Sequence, residues 1–372
     1  MFKSLNRKDK SFYLTVANII KKINTNQSTL KKEIYGLQNS NRYYGILHNI
    51  LLNYNLLKTI NKKSDFMRNV PLGCVVISEV LNGNIKNAEY KEKFLKAKGS
   101  KELKILEDIV YIRLIAGISQ EKDLSPYLYE MTEIKNVFKI FGFKDKTKNS
   151  SVKKDVVLNL EGKVKIQSFE SCLPIHFLNP EKGSVVIDAT AAPGNKTTQC
   201  YDAMNGEGKI FAFEKDSKRC ELLKKMTEEY KCENITIENK DFLEVDSNSI
   251  KADYIVVDPS CSGSGIHFNY RKDNMRIRKL KNFQCMILNH ALSFNPKKVV
   301  YSTCSVHNEE GEDVVQEALA KNPDYVLEKI SLKGNENYKN VDDIQDKVIR
   351  IEKNDGIQTG FFVALLKRKD GK

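Results

Sequence analysis

The sequence predicts an α/β fold: a mainly parallel sheet with helices on both faces, preceded by a helical region and a small α/β linking segment. Three observations predict it. After residue 166, short β-branched runs alternate with amphipathic segments, the pattern of parallel strands joined by covering helices. Before residue 98, apolar residues recur at helical spacing. Strand after strand in the second half ends in a polar or sulfur side chain, on the rim where such sheets bind ligands. The expected domains are a helical one over 1–98, a linking region over 99–165 and the sheet domain over 166–372.

In chain order, "SFYLTVANIIKKI" places Phe12, Val16, Ile19, Ile20 and Ile23 on one helical face, and "NRYYGILHNILLNYNLLKTI" repeats the pattern more strongly. "VPLGCVVISEVLNG" reads as a third helix that stops near Gly83. The linking region offers a strand at "DIVYIRLIAG", a helix after Ser125-Pro126 and a polar basic loop, "KDKTKNSSVKKD". Then come strand "GSVVIDAT", helix "NKTTQCYDAM", strand "GKIFAFEKD", helix "SKRCELLKKMTEEY" and strands "NITIENKD", "ADYIVVDPS" and "PKKVVYSTCS", the last two separated by helix "NFQCMILNHALSF".

Composition excludes several classes. No apolar run reaches the roughly 20 residues of a membrane span, and "MFKSLNRKDK" lacks the apolar core of a signal peptide. A soluble intracellular protein is expected. The eight cysteines form no CxxC pair and have no histidines at metal spacing, so reduced thiols and no metal site are expected. A net charge of +13 makes nucleic acid the first partner to consider, although Lys-rich solvated helix faces give the same balance.

The strand ends narrow the chemistry. Asp188 closes the first strand and leads into "ATAAPGNKTTQ", whose small residues let backbone amides approach a ligand ahead of a helix. Glu214 closes the second, 26 residues later, where a carboxylate accepts from ribose hydroxyls. The third offers Asp241, the fourth Asp258 and Cys261, the fifth Cys304. Neither GxxxxGK[ST] nor GxGxxG is present at the first turn. A nucleoside-bearing cofactor that needs no pyrophosphate cradle remains. Any one of these residues has an ordinary alternative: turn capping for Asp188 and Asp241, a solvated helix face for Arg219, an exposed first-turn lysine for Lys196. Their joint occurrence at strand ends favours one site.

"DATAAPGNKTTQ", "FEKDSKR", "NKDF", "DPSCSGSG", "YSTCSVHNEE" and "DGIQTGFFVALLKRK", in this order, resemble the successive motifs of the Nop/Sun family of RNA cytosine-5 methyltransferases. The resemblance covers about 166 to 370, and "PSCSGSG" is most similar to the eukaryotic subgroup acting on large-subunit ribosomal RNA. It implies a Rossmann-like S-adenosylmethionine-dependent methyltransferase domain. Two segments depart from the family pattern. The domain entry reads "QSFESCLP", with Ser168 and Glu170 in place of Asp and Ala, and the upstream RNA-contacting segment is represented by "IRLI" around Arg113.

The resemblance assigns roles by position. Thr190, Ala191, Ala192, Pro193, Gly194, Asn195 and Lys196 hold the methionine part of S-adenosylmethionine, Glu214 its ribose and Asp241 its adenine, with Arg219 and Asp258 completing the pocket. Carbon 5 of cytosine is a poor nucleophile until a thiolate adds at carbon 6. Chemistry alone leaves Cys261 and Cys304 as rivals for that attack. The resemblance gives it to Cys304, gives product release to Cys261, gives protonated Asp258 a hydrogen bond to ring nitrogen 3, and lets Lys196 assist the thiolate or cofactor. The basic run with Arg271, Lys272, Arg276, Arg278, Lys279 and Lys281 is a candidate phosphate clamp, with Phe268 and Tyr270 as stacking candidates. His267 and His307 receive no catalytic role. The implied partner is RNA, as ribosomal RNA or a pre-ribosomal particle, with no membrane. A monomer is expected, in the nucleolus by subgroup and otherwise cytoplasmic. Two other classes are weighed: an assembly factor that keeps the fold and binds RNA, and a thiol redox enzyme, which leaves the acidic strand ends unexplained.

Overall fold

A computed structural model of the chain describes residues 5–25, 27–28, 33–34, 37, 40–103, 109–145, 147–148, 151–266, 270, 272–332, 338–341, 345–353 and 359–369. These fall into two compact units that part near residue 106.

The first unit is helical: α1 (Arg7–Asn24), α2 (Ser40–Leu52), α3 (Tyr54–Lys63), α4 (Val70–Leu81) and α5 (Ala88–Lys98). Asn6, Asn69 and Asn87 cap α1, α4 and α5 by accepting from amides three residues on. Leu72 to Val80 are all buried, so α4 is the centre of the unit, and Ile20, Leu47, Leu57, Ile60 and Phe94 close around it. Cys74 lies in this core; burial pushes its thiol up to about 12 and leaves it an inert packing group.

The second unit begins with a four-stranded antiparallel sheet of β1 (Val110–Leu114), β2 (Tyr127–Met131), β3 (Val137–Phe143) and β4 (Val164–Ile166), in the order β2-β3-β1-β4. Helix α6 (Val152–Asn159) buries Val152 and Val156 against Ile112, Phe138 and Ile140 of its one face. The boundary expected at 165/166 falls inside β4. Two sequence expectations fail here. The segment after Pro126 is strand β2 rather than a helix, because its aromatic residues alternate across the sheet and pair with β3. The expected loop over 144–155 turns helical from Val152, where Val156 and Leu160 supply an apolar face to the sheet.

After α7 (Phe169–Leu178) comes the nine-stranded sheet: β5 (Val185–Asp188), β6 (Lys209–Phe213), β7 (Ile235–Glu238), β8 (Tyr254–Val257), β9 (Lys298–Thr303), β10 (Tyr325–Glu328), β11 (Tyr338–Val341), β12 (Gln345–Ile351) and β13 (Phe361–Arg368). Its order is β11-β12-β13-β9-β8-β5-β6-β7, with β10 also paired to β13. Strands β5 to β9 are mutually parallel; β10 to β13 add antiparallel pairs, of which the sequence reading had only β13. The connecting helices are α8 (Asn195–Ala203), α9 (Ser217–Glu229), α10 (Asn274–Ser293) and α11 (Glu312–Lys321). The central strands are continuously apolar because both faces are covered. Ile187, Ile255, Val257, Val299 and Tyr301 point into one core, and their neighbours Val186, Tyr254, Val256 and Val300 into the other. Strand order reverses at β5, which makes its carboxyl end the topological switch point.

Candidate active site

At that switch point the Asp188 carboxylate is buried, and burial pushes it up to about 6. It accepts from the Thr197 hydroxyl at 2.7 Å and the Thr190 amide at 3.4 Å, strapping the loop between them onto α8. Gly194 closes that loop at φ +110°, a conformation that side chains resist. A Cβ there would also press to 3.0 Å on Leu223. Thr190 Oγ1 accepts from the Asp258 amide at 3.3 Å, tying the first loop to the fourth strand end. Asn195 Oδ1 is buried and has no hydrogen-bond partner.

Lys196 is not the exposed first-turn lysine its position permits. It is 8% exposed, and its Nζ lies 2.6 Å from Asp258 Oδ2. Burial alone would lower its affinity for a proton, yet the Asp258 carboxylate outweighs burial and keeps the ammonium charged. Asp258 Oδ1 accepts from Ser302 at 2.7 Å. An aspartate held in this way is an ion-paired carboxylate, and the protonated acid implied by the resemblance is not the form seen here.

Beside this pair, Cys261 and Cys304 stand with their sulfurs 3.0 Å apart, both half-buried. The hydrogen bond from Cys261 lowers the Cys304 thiol, and Lys196 adds to the effect against burial and Asp258. Cys261 moves the other way, through the same hydrogen bond, burial and the carboxylate of Glu310. The pair therefore shares one proton unequally, with Cys304 as the thiolate.

The opposite half of the rim carries Glu214. Its Oε1 accepts from the Asp216 amide at 2.9 Å, and its Oε2 lies 3.3 Å from Arg219. Arg219 also donates to the Ala192 carbonyl at 2.5 Å, so this exposed helix residue reaches back to the first loop. Asp241 caps the turn that follows it by accepting from Leu243 at 3.1 Å, and it pairs with Lys215 at 2.7 Å. Burial raises its carboxyl, but these partners prevail and hold it below the usual range.

The basic run does not act as one patch. Lys272 is paired with Glu309, and Lys281 with Asp313 and Glu317, whereas Arg276, Arg278 and Lys279 are exposed on α10. Arg271, Phe268 and His267 lie outside the described residues. Arg113 departs from expectation most. It is buried, ion-paired with Asp202 and bonded to Thr198 at 2.8 Å, so it clasps the small sheet to α8 and presents nothing to RNA. Ser168 replaces an aspartate without loss of its local task, since its hydroxyl caps α7 by accepting from Ser171 at 3.3 Å.

Sequence reasoning missed a buried polar knot behind the cysteines. Glu310, fully buried, accepts from the Ser262 amide at 2.8 Å, Gln284 at 3.1 Å and the Ser305 hydroxyl at 2.7 Å. Ser264 joins Ser262 and Ser305 at 3.1 Å each and accepts from the Val306 amide. Arg350 holds Glu312 through Nε at 2.7 Å and donates to the Ser305 carbonyl at 3.2 Å. Backbone closes the knot: Gly265 donates to the Cys304 carbonyl and Gly360 to that of Gly265, each at 3.0 Å. The only sequence signal was the density of Ser and Gly around both cysteines. Among the described residues no group of three or more His, Cys, Asp or Glu side chains is placed to hold a metal ion, and no helix is long and apolar enough to cross a membrane.

Comparison with known proteins agrees with this geometry. The family model described as 16S rRNA methyltransferase RsmB/F matches residues 175–367. The chain is 40% identical over 229 residues to a 25S rRNA (cytosine-C(5))-methyltransferase of Schizosaccharomyces pombe, covering 55% of this chain and 50% of that one. It is 42% identical over 172 residues to a 28S rRNA (cytosine-C(5))-methyltransferase of Mus musculus, covering 43% and 37%. The chain thus spans about half the length, or less, of these curated relatives. Among solved structures, a methyltransferase homolog from Pyrococcus horikoshii superposes with a TM-score of 0.60 at 21% identity, over 85% of this chain and 99% of that one. An NSun6 structure from the same organism gives 0.59 at 19% identity, over 71% and 92%. These two establish the shared fold.

Proposed function

The chain belongs to the 16S rRNA methyltransferase RsmB/F family, and from that membership we propose that it methylates carbon 5 of a cytosine in RNA, using S-adenosylmethionine. Large-subunit ribosomal RNA is the proposed substrate, since the relatives from fission yeast and mouse are named for 25S and 28S rRNA. One observation carries the reading most: two facing cysteines, one held as thiolate, beside a buried Lys196–Asp258 pair on the rim of a nucleoside-type pocket.

The pocket residues fit the cofactor. The first loop has a glycine where a Cβ would intrude, Asn195 offers a buried oxygen with no partner in the protein, and Glu214 presents a carboxylate at the second strand end. Residues 190–196 would hold the methionine part, Glu214 the ribose, and Asp241 and Arg219 the remainder. Bound S-adenosylmethionine supplies an electrophilic methyl group on its sulfonium.

The protein's own groups do the rest. Cys304 adds as thiolate to carbon 6, which makes carbon 5 nucleophilic. Nitrogen 3 gains negative character in that step. The one mobile proton shared by Lys196 and Asp258 reaches nitrogen 3 through Asp258, so the ion pair of the resting protein is the reservoir for the donor that the addition needs. After methylation, the carbon-5 proton leaves to a base, the Cys304–carbon 6 bond breaks, and the thiolate returns. Cys261 assists this release.

The test is to incubate Cys261→Ala with S-adenosylmethionine and ribosomal RNA fragments and look for a covalent protein–RNA band on a denaturing gel. A band that vanishes when Cys304 is also replaced supports the mechanism, and sequencing the trapped RNA identifies the target. No band with any fragment, despite measurable cofactor binding, would move the reading to an RNA-binding assembly factor.

A further inference from the structure

We propose that Glu310 is a positioning residue that decides which of the two cysteines keeps the proton: its buried charge lies against the Cys261 loop and holds that sulfur as the thiol, leaving Cys304 as the nucleophile. The inference rests on the reading of Cys304 given above.

The charge is unusual in how it is held. Glu310 ends a single helical turn, Asn308–Glu310, just after β9. Its three partners are a backbone amide, a carboxamide and a hydroxyl. They satisfy its oxygens and leave its charge uncancelled. The nearby guanidinium of Arg350 is spent on Glu312 and reaches only a backbone carbonyl of this loop. In a water-poor site an uncancelled carboxylate acts strongly on its neighbours. The neighbour is Cys261, one residue before the amide that Glu310 grips.

The other charges around the sulfurs complete the asymmetry. Lys196 on α8 stands on the Cys304 side with Asp258, whose negative charge it largely balances. Tyr301 on β9 stays neutral, its hydroxyl donating to the Glu310 carbonyl. The Arg350–Glu312 pair is internally neutral. Positive charge therefore borders Cys304, negative charge borders Cys261, and the proton between two sulfurs 3.0 Å apart settles on Cys261. Glu310 also fixes loop geometry, and the two roles separate by substitution: Gln keeps the shape and an acceptor while losing the charge, whereas Ser305→Ala loses a donor and keeps the charge.

The test is alkylation of the full-length protein by iodoacetamide from pH 6 to 9, with labelling of Cys261 and Cys304 read separately by peptide mass spectrometry. It needs neither RNA nor cofactor. In the wild type Cys304 should label at least about tenfold faster than Cys261 at pH 7, the equivalent of about one unit between the thiols. Glu310→Gln should narrow that ratio about tenfold, chiefly through faster labelling of Cys261, and Ser305→Ala should keep it. A wild-type ratio in Glu310→Gln overturns the proposal. So does an equal collapse in Ser305→Ala, which would make loop docking, rather than charge, the cause. Should Glu310→Gln fail to fold, the wild type decides, because Cys261 labelling as fast as Cys304 overturns the inference outright. Expected labelling from a protein that forms no RNA adduct supports the proton placement and removes only the methyl-transfer reading.

Discussion

The two halves of the sheet rim hold their charges in different ways. On the β6–β7 side, Glu214 and Asp241 are tied to amides two residues away and to Arg219 and Lys215, two cations that stand in solvent. On the β8–β9 side, polar groups are tied to one another across long stretches of chain, such as Ser262 to Glu310 and Arg350 to Ser305. Exposed ion pairs contribute little and exchange readily with a ligand, whereas a satisfied buried network is stiff. A binding half must let go of its product, and a reacting half must keep two sulfurs in place. The contrast fits those demands.

The largest blow to the comparison comes from Cys304→Ala. Methyl transfer should fall by about a thousandfold or more, while cofactor affinity, read by calorimetry, stays at the wild-type value. Loss of both together would mean that the halves are not separable. Arg113→Met comes next. It strands the buried Asp202 carboxylate and should cost about 3 kcal/mol in a denaturant midpoint experiment. A neutral result would show that the small sheet does not depend on this clasp.

Asp188 sharpens the comparison through pH. The folded protein keeps its proton up to about 6, whereas an unfolded chain releases it near 3.8. Between these values the folded state binds more protons, so this group's contribution to stability falls as pH rises through the window. Relative to Asp188→Asn, the wild type should lose up to about 3 kcal/mol between pH 4 and pH 6. Carboxylates held low, such as Asp241 and Asp253, act in the opposite sense, which is why the difference between the two proteins is the quantity to measure. Parallel curves would remove the buried acid from the account. The smallest effect is expected from Glu214→Gln, about tenfold weaker cofactor binding from the loss of a charged acceptor. Its Cys304 alkylation should match the wild type; a changed alkylation rate would show that the two halves communicate.

What the sequence disclosed follows the same division. Asp188, Glu214, Asp258, Cys261 and Cys304 were legible because each directly follows a strand, and strands announce themselves locally by β-branched runs buried on both faces. Lys196 was legible by position, but its burial was not, since the carboxylate that draws it inward lies 62 residues away. The polar knot was hidden for a stronger form of that reason. Ser262, Gln284, Ser305 and Glu310 are residue types that usually face water, and only the fold brings them together. Strand β2 was hidden by Pro126, which suggests a helix start yet also begins an extended segment without strain. Arg113 was misplaced because an arginine on a short strand looks solvent-facing until the small sheet is laid against α8.

The contact between Gly265 and Gly360 gives a handle of another kind. A methyl group added at Gly265 would fall 2.0 Å from the Gly360 carbonyl oxygen, and one at Gly360 would fall 2.4 Å from Val306. Neither glycine belongs to the cofactor loop, and neither is a thiol. Alanine at either position is thus a wedge driven behind the cysteine loop, able to dim the chemistry in graded steps while every reacting group stays present. For an experimenter that separates throttling the reaction from deleting it, which the cysteine substitutions cannot do.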